Sequence, residues 1–117
     1  MLLKAWAKHM DLFEVIITPY ALEQLDSYIG YIQYTLLNPI AADSLWRDSV
    51  ATADELERCA GSLEPCKHPE LRKRGYHPLP FLKHDYVMLY RIAGKTVFVD
   101  AIYHLMQDYE NTFAELL

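Results

Sequence analysis

The 117-residue sequence lacks an apolar run long enough to cross a membrane, because charge or proline interrupts every such run well before ~18 residues. Residues 1–10 also lack the apolar stretch and small-residue cleavage site of a signal peptide. We therefore expect a soluble, cytoplasmic protein without a membrane partner. Residues 1–9 precede the first clear strand, and we interpret them as an N-terminal extension of a single domain that spans residues 1–117.

Cysteine is scarce, since Cys59 and Cys66 are the only two in the chain. Two thiols are too few for a disulfide framework, and a cytosolic setting would keep them reduced. His68 and His77 follow nearby, but the spacing lacks the short Cys-x-x-Cys clamp that is typical of structural zinc. We therefore predict no metal site and no cofactor.

A general excess of basic charge is also absent, since the net charge is −5. The charges are nevertheless segregated, because residues 58–95 carry eight of the 11 Lys and Arg residues but only three of the 16 acids. A nucleic-acid-binding protein is more usually basic throughout. The segment Arg72-Lys73-Arg74 is either a patch that binds a target or a solvated loop, and we give the two interpretations equal weight.

The first part of the sequence predicts a strand and then a helix. Residues 13–17 are rich in β-branched and aromatic side chains, which indicates a short, largely buried strand. Thr18 and Pro19 are typical of the cap and first position of a helix. Apolar residues then recur at helical spacing over residues 22–36, which indicates a stripe that faces a core.

Asn38-Pro39 ends this helix and opens a second, which we place at residues 39–60. One side of it carries apolar and small residues, namely Ala42, Leu45, Trp46, Ser49, Val50, Ala53 and Leu56. The other side carries charged residues, namely Asp43, Arg47, Asp48, Asp54, Glu55 and Glu57. Two amphipathic helices joined so closely should form an antiparallel hairpin.

The second half of the sequence predicts a loop followed by three strands. Residues 61–75 contain two glycines and two prolines amid charges, which indicates a loop. Residues 76–83 carry two further prolines, which favour an edge or irregular strand. Residues 86–92 and 96–103 are strongly β and are separated by a short turn, so they predict a hairpin. Apolar spacing in the last residues favours a short C-terminal helix.

The order of these elements predicts an α+β fold. A strand and an antiparallel helix hairpin precede a three-stranded antiparallel meander, and the strands form one sheet with the helices packed on one face. A short C-terminal helical segment follows. The sequence contains no internal repeat and no low-complexity stretch.

Several segments of the sequence, taken in order, resemble the RelE/ParE toxins. They are residues 15–19, which end in Thr-Pro, and residues 21–26, 28–32, 38–42, 74–79, 86–92 and 102–109. Residues 86–92 are similar to the "tyrosine, aliphatic, tyrosine-arginine" strand of that family. Residues 102–109 are similar to its "histidine, two residues, Gln-Asp-Tyr" ending. The resemblance covers about residues 12–109, which is nearly the whole chain.

This resemblance implies the toxin half of a type II toxin–antitoxin, or plasmid stabilisation, system. Members of the family are neutralised by a cognate antitoxin that wraps the toxin surface. One branch cuts messenger RNA on the ribosome, and another inhibits DNA gyrase. The implied partners are therefore an antitoxin and either DNA gyrase or the ribosome with its mRNA, and a homodimer is a further option.

RNA cleavage requires a base, an acid and cations that stabilise the phosphorane. The resemblance places an arginine of the nucleolytic relatives where this sequence has Val87, and further basic residues where it has Leu-Met-Gln at 105–107. The remaining candidate catalytic residues are His104, as an acid or base, and Arg91, as a phosphate contact. We favour simpler roles for both: a strand-end histidine bonded to a neighbour, and an arginine paired with Asp100 across the hairpin.

We therefore favour a non-nucleolytic toxin of ParE type that acts by binding, with DNA gyrase as a candidate target, and we favour no enzymatic activity. The candidate target-binding residues are Arg72, Lys73, Arg74, Lys83, His84 and Tyr109. An mRNA endonuclease of RelE type and a detoxified module that binds only its antitoxin remain as alternatives. If the helix hairpin and the sheet form an antitoxin groove, the free toxin should expose apolar side chains.

Overall fold

The computed structural model describes residues 12–117, so the N-terminal extension expected at residues 1–9 lies outside the described residues. The strands within this range are β1 at Glu14–Ile17, β2 at His77–Pro80, β3 at Tyr86–Ala93 and β4 at Thr96–His104. The α-helices are α1 at Pro19–Gly30, α2 at Pro39–Cys59, α3 at Pro69–Lys73 and α4 at Tyr109–Ala114. Helix α1 continues into a π-helical turn at Tyr31–Thr35, and α2 continues into a 3₁₀ turn at Ala60–Ser62.

The two long helices begin where the local sequence signals predict. The Thr18 hydroxyl accepts a hydrogen bond from the Ala21 amide over 3.5 Å, and Asn38 Oδ1 accepts one from the Ala41 amide over 3.1 Å. A proline follows each cap, at the first helical position, where a backbone amide would have no partner within the helix. Between the helices, Leu37 adopts a positive φ of 52°, which is uncommon outside glycine. The tight connection between α1 and α2 therefore carries a local backbone strain.

The strands lie in the order β1-β4-β3-β2. Strand β1 runs parallel to β4, whereas β2, β3 and β4 form the predicted antiparallel meander. The β3–β4 hairpin turns at Gly94, whose positive φ of 63° suits a tight turn. Strand β2 lies at an edge, which accommodates Pro78 and Pro80 because an edge strand can lack amide donors. The structure thus confirms the α+β fold and the edge position of the proline-containing strand.

A β-bulge interrupts β4 at Asp100. Leu89 pairs with Ala101, whereas the next residue of β3, Tyr90, pairs with Val99, so Asp100 is an extra residue in β4. Strict alternation after Val99 would turn Ala101 to the same side of the sheet, but Ala101 packs on the opposite side. The bulge therefore determines which side chains at the end of β4 lie on each face of the sheet.

The two faces of the sheet are covered by different helices. Helices α1 and α2 pack on the inner face, as predicted for the helix hairpin. The buried residues of this inner cluster are Ala21, Leu25, Leu45, Ala53, Leu56, Ala60, Phe81, Met88, Tyr90, Val97, Val99 and Ile102. Helices α3 and α4 lie at the opposite, outer face. The buried residues of this outer cluster are Cys66, Leu71, Tyr76, Val87, Leu89, Ala101, Tyr103 and Phe113. The C-terminal helical segment expected from the sequence is α4.

Helix α3 corrects the expectation that residues 61–75 form a loop throughout. His68 caps this helix, since its Nδ1 accepts a hydrogen bond from the Glu70 amide over 3.2 Å, and Pro69 follows the cap. Leu71 is fully buried in the outer cluster. Because a helix of five residues is too short to be stable alone, tertiary packing determines it, and the composition of the segment does not reveal it.

Helix α1 completes the hydrogen bonding of β4 beyond the end of β1. Gln24 Oε1 accepts a hydrogen bond from the Ile102 amide over 2.7 Å, and the Tyr28 hydroxyl donates to the Ile102 carbonyl over 3.0 Å. The Thr18 hydroxyl donates to the Val99 carbonyl over 3.1 Å. Side chains of α1 and of its cap therefore bond backbone groups that a further strand would otherwise pair.

Candidate functional site

His104, the candidate acid or base, lies at the end of β4 opposite Tyr86. Its Nδ1 accepts a hydrogen bond from the Met106 amide over 3.1 Å, and its own amide donates to Gln107 Oε1 over 2.9 Å. The ring packs edge-on against Tyr86, with the centroids 5.0 Å apart. Because Nδ1 is an acceptor, the proton of the neutral ring lies on Nε2. These contacts are those of a strand-end histidine bonded to its neighbours.

Arg91, the other candidate catalytic residue, donates from Nε to Asp100 Oδ2 over 2.7 Å, which confirms the predicted pair across the hairpin. The same oxygen accepts a hydrogen bond from the Tyr76 hydroxyl over 2.7 Å. The guanidinium also lies over the Phe98 ring, 4.5 Å from its centroid. The hydrogen bond to Asp100 is the main reason that the pKa of Arg91 is raised. Arg91 is therefore charged, but its guanidinium is already paired with Asp100.

The structure does not bring His104 and Arg91 together. Tyr86 pairs with His104, and Arg91 lies five residues further along β3, which is ~17 Å at ~3.4 Å per residue. Arg91 also contacts Asp100 on the outer face, whereas His104 packs against Tyr86, which belongs to the edge of the inner cluster. Groups placed in this way are too far apart to act on one phosphate.

The positions at which nucleolytic relatives carry cations are neutral in this chain. Val87 is fully buried in the outer cluster, so an arginine there would place an unpaired charge among apolar side chains. Residues 105–107 follow β4, and Met106 is largely exposed. Neither place supplies a cation beside His104.

The basic target-binding candidates of α3 lie at the surface. Arg72 and Lys73 are exposed on the helix, and Arg74 follows directly. Arg74 Nε donates to Glu70 Oε1 over 2.9 Å, and this hydrogen bond is the main reason that the pKa of Glu70 is lowered. Tyr109, at the start of α4, packs against the outer cluster, and burial raises its pKa. These candidates therefore share the outer side of the sheet.

Lys83 and His84 lie elsewhere, in the loop between β2 and β3. His84 Nδ1 lies 2.6 Å from Asp48 Oδ2, and the Lys83 amide donates to the same oxygen over 3.0 Å. The Thr52 hydroxyl donates to Asp48 Oδ1 over 3.4 Å and accepts a hydrogen bond from the Leu82 amide over 3.2 Å. Polar side chains of α2 thereby hold this loop in place, and the predicted binding residues fall into two separate groups.

Asp48, which the sequence pattern places on the charged side of α2, is buried. Its side chain is 1% exposed, because the β2–β3 loop folds over it. Burial on its own would raise the pKa of Asp48, but hydrogen bonds from His84 and from the Lys83 amide lower it overall. Ser44, Asp48 and Thr52 recur every fourth residue, so they share one stripe of α2. This polar stripe is visible in the sequence, but it does not reveal that the β2–β3 loop covers it.

Large apolar side chains are exposed around the connection between α1 and α2 and along α2. We call the following set the hairpin surface: Tyr31, Tyr34, Leu36, Leu37, Ile40, Trp46 and Val50. Leu37 and Ile40 are 79% and 83% exposed. Leu36, Trp46 and Val50 thus lie outside the core that their spacing predicts, because the apolar stripes are wider than the surface that covers them. The expectation of exposed apolar side chains is confirmed.

Two further observations concern the described range as a whole. No helix within residues 12–117 is both long enough and apolar enough to cross a membrane. Over the same residues, no three His, Cys, Asp or Glu side chains are grouped so that they could hold a metal ion.

Comparisons with known proteins identify a family for most of the chain. Residues 15–109 match the sequence model of a family described as the ParE toxin of the type II toxin–antitoxin system parDE. Among solved structures, the fold is similar to a chain from the chromosomal ParDE toxin–antitoxin system of P. aeruginosa, with a TM-score of 0.68 and 20% identity. That likeness covers 81% of this chain and 98% of the other. No curated protein matches the sequence.

Proposed function

The chain belongs to the family of ParE toxins of type II toxin–antitoxin systems, and we propose that it inhibits bacterial growth by binding an essential protein rather than by cutting RNA. The observation that carries this proposal is the arrangement of the candidate catalytic groups. Arg91 is engaged by Asp100, and His104 lies ~17 Å away towards the other face. RNA cleavage would need a base and a cation within reach of the same phosphate.

DNA gyrase is the target that we propose, since the ParE-like branch of the family inhibits it. The proposed contact surface is the outer side of α3 and α4, where Arg72 and Lys73 are exposed beside Arg74 and Tyr109. The His68 amide at the start of α3 donates to a carboxylate oxygen of α4 over 2.7 Å, which joins the two helices. The exposed cations Arg72 and Lys73 are complementary to an acidic protein surface. Lys83 and His84 are proposed as a second point of contact.

The antitoxin that the family implies is proposed to cover the hairpin surface. Burying exposed apolar area contributes roughly 25 cal/mol per Å², so large side chains such as Leu37 and Ile40 are suitable anchors. A partner that binds only the folded toxin also raises its stability in proportion to the logarithm of its concentration. The antitoxin should therefore both neutralise the toxin and raise its unfolding temperature.

The proposed mode of action is tested by pulse-labelling protein and DNA synthesis within minutes of inducing the chain without its antitoxin. We expect DNA synthesis to fall while translation continues. Prompt arrest of translation would contradict the proposal and support a ribosome-dependent endonuclease. No effect on either process would contradict it as well, and would indicate a module that has lost its toxicity.

Variants separate the catalytic from the binding hypothesis. His104→Ala and Arg91→Ala should leave growth arrest within about twofold of the parent chain, since neither group acts chemically. Arg72→Glu combined with Lys73→Glu should weaken inhibition of purified gyrase at least about tenfold, because it reverses charge at the proposed contact. Arg58→Glu on α2 is the matched control and should retain inhibition. Loss of RNA cleavage in the His104 or Arg91 variant would overturn the proposal.

The antitoxin surface is tested by copurification with the protein encoded next to this chain. Leu37→Asp should weaken that complex at least about tenfold, which corresponds to about 1.4 kcal/mol, because it places a charge in an apolar contact. Leu116→Asp changes another exposed leucine, outside the hairpin surface, and should leave the complex intact. Equal weakening by both variants would show that the antitoxin binds elsewhere.

A further inference from the structure

Three side chains join α2 to the β2–β3 loop in the order hydroxyl, imidazole, carboxylate. Ser44 Oγ lies 3.3 Å from His84 Nε2, and His84 Nδ1 lies 2.6 Å from Asp48 Oδ2. The Lys83 amide and the Thr52 hydroxyl fix the carboxylate by two further hydrogen bonds. Holding the loop in place requires only the contacts of Asp48 and Thr52, and it does not require the Ser44 hydroxyl next to His84 Nε2.

The hydrogen bonds determine which nitrogen of His84 carries the proton. A carboxylate only accepts hydrogen bonds, so His84 Nδ1 is the donor to Asp48. In the neutral ring, Nε2 is then unprotonated and faces the Ser44 hydroxyl, from which it can accept a proton. Asp48 thus orients the ring and can stabilise the imidazolium that forms, as in the serine hydrolases.

Ser44 opens onto a cleft of about 500 Å³ between α2 and the loop. Ile40, Ala51 and Leu82 contribute apolar walls to it. Lys83 lines the same cleft, as do Asp43 and Arg47, which pair with each other over 2.8 Å. The cleft therefore offers an apolar surface for an acyl group, and its lining includes cations that can attract a developing negative charge.

We propose that Ser44, His84 and Asp48 form a nucleophilic triad that hydrolyses carboxylic esters with a small apolar acyl group. Ser44 Oγ attacks the ester carbonyl carbon while His84 Nε2 takes the hydroxyl proton. The bond from that carbon to the leaving oxygen then breaks, and His84 gives its proton to the departing alcohol. Water next attacks the acyl group on Ser44, with His84 as base. The carboxylic acid leaves and the proton returns to Ser44 Oγ.

The triad is tested first by treating the full chain with a fluorophosphonate, which forms a phosphorus–oxygen bond to an activated serine and expels fluoride. Peptide mass spectrometry should find the adduct on the peptide that contains Ser44. His84→Asn should slow labelling at least about 100-fold, because the asparagine amide can still donate to Asp48 but cannot act as a base. Ser62→Ala removes a hydroxyl that donates to the Cys59 carbonyl, outside the cleft, and should label at the parent rate.

Hydrolysis of p-nitrophenyl acetate supplies a second readout. It should be lost in Ser44→Ala, which removes one exposed hydroxyl and should leave the circular dichroism spectrum unchanged. Absence of an adduct on Ser44 would overturn the proposal. Equal labelling rates in the parent and in a folded His84→Asn variant would also overturn it, as would hydrolysis that persists in Ser44→Ala. Growth inhibition is measured by separate experiments. A negative result for the triad therefore does not count against the proposed binding function.

Discussion

The inner face of the sheet is covered by α1 and α2, of 12 and 21 residues, whereas the outer face is covered by α3 and α4, of five and six residues. Both faces nevertheless enclose fully buried leucines, Leu45 on the inner and Leu71 on the outer. Long helices fold together with the sheet, but a helix of one or two turns depends on each tertiary contact. We infer that the inner face carries the global stability and that the outer face opens locally.

Each face also places one carboxylate beside its apolar cluster. Asp48 is almost completely buried and holds a loop against α2. Asp100 holds Arg91 and Tyr76 on the outer face, where the Arg91 side chain is 38% exposed. The Asp48 side chain is 1% exposed and the Asp100 side chain 15%, so water can reach the Asp100 contact more easily than the Asp48 contact, and the same chemical group should differ in its contribution to stability.

The largest expected effect distinguishes the two apolar clusters. Leu45→Ala should lower the free energy of unfolding by about 3–4 kcal/mol, because it leaves a cavity in the inner cluster. Leu71→Ala should cost about 2–3 kcal/mol and should speed amide exchange only in α3 and α4. Denaturant unfolding and hydrogen exchange measure the two effects. Faster exchange throughout α2 in the Leu71 variant would show that the two faces unfold as one unit.

The next effect distinguishes the two carboxylates. Asp48→Ala should destabilise the fold by about 3 kcal/mol, because it empties a buried position and leaves the Lys83 amide, the His84 ring and the Thr52 hydroxyl without their common acceptor. Asp100→Ala should cost less, about 1–2 kcal/mol, because solvent reaches Arg91, although the buried Tyr76 hydroxyl also loses its acceptor. Asp48→Asn keeps one oxygen acceptor and serves as the control, with a smaller loss than Asp48→Ala. Equal losses for Asp48→Ala and Asp100→Ala in urea unfolding would contradict the comparison.

A smaller effect concerns the loss of stability at acidic pH. The pKa of Asp48 is lowered in the folded chain, because the hydrogen bonds from the loop outweigh its burial. Its contribution to stability is therefore complete above the ordinary aspartate pKa of about 3.9 and is lost as the pH falls through the lowered folded value. Unfolding measured at a series of pH values should show this loss, and Asp48→Asn should reduce it. An unchanged acid dependence in that variant would assign the loss to other carboxylates.

The smallest effect involves the two thiols and leaves stability unchanged. Burial raises the pKa of the Cys66 thiol to about 12, whereas Cys59 at the end of α2 is only partly buried. Iodoacetamide at about pH 8 should therefore modify Cys59 at least about tenfold faster than Cys66. Leu71→Ala should speed the reaction of Cys66 and not that of Cys59. Equal acceleration of both thiols would argue against local opening of the outer face.

Features that depend on neighbouring residues in the sequence could be predicted from it. Thr18 and Asn38 act as caps through amides three positions later, and the β3–β4 hairpin closes over a short turn, so both are local properties. Helix α3 and the burial of Asp48 could not be predicted, because each depends on segments distant in the chain. Asp48 is covered by a loop that begins more than thirty residues later.

In the candidate site, too, contacts between residues close in the sequence could be predicted, and the relative positions of distant residues could not. The Arg91–Asp100 pair follows from two strands that meet at one turn, and it could be predicted. The separation of His104 from Arg91, and of Lys83 from α3, depends on which face and which end of the sheet each residue occupies. The bulge at Asp100 changes those faces within β4 and leaves no clear mark in the sequence pattern.

That bulge also bears on how the chain can change in length. Strand β4 has nine residues and β3 has eight, and Asp100 is the one in excess. Removing it would leave Val99 and Ala101 opposite the same partners as before, on the same faces. The residue that organises the polar contacts of Arg91 and Tyr76 is thus the one that the backbone pairing does not require. An insertion or deletion at this position can alter the surface chemistry of the sheet while its ladder of hydrogen bonds stays in register.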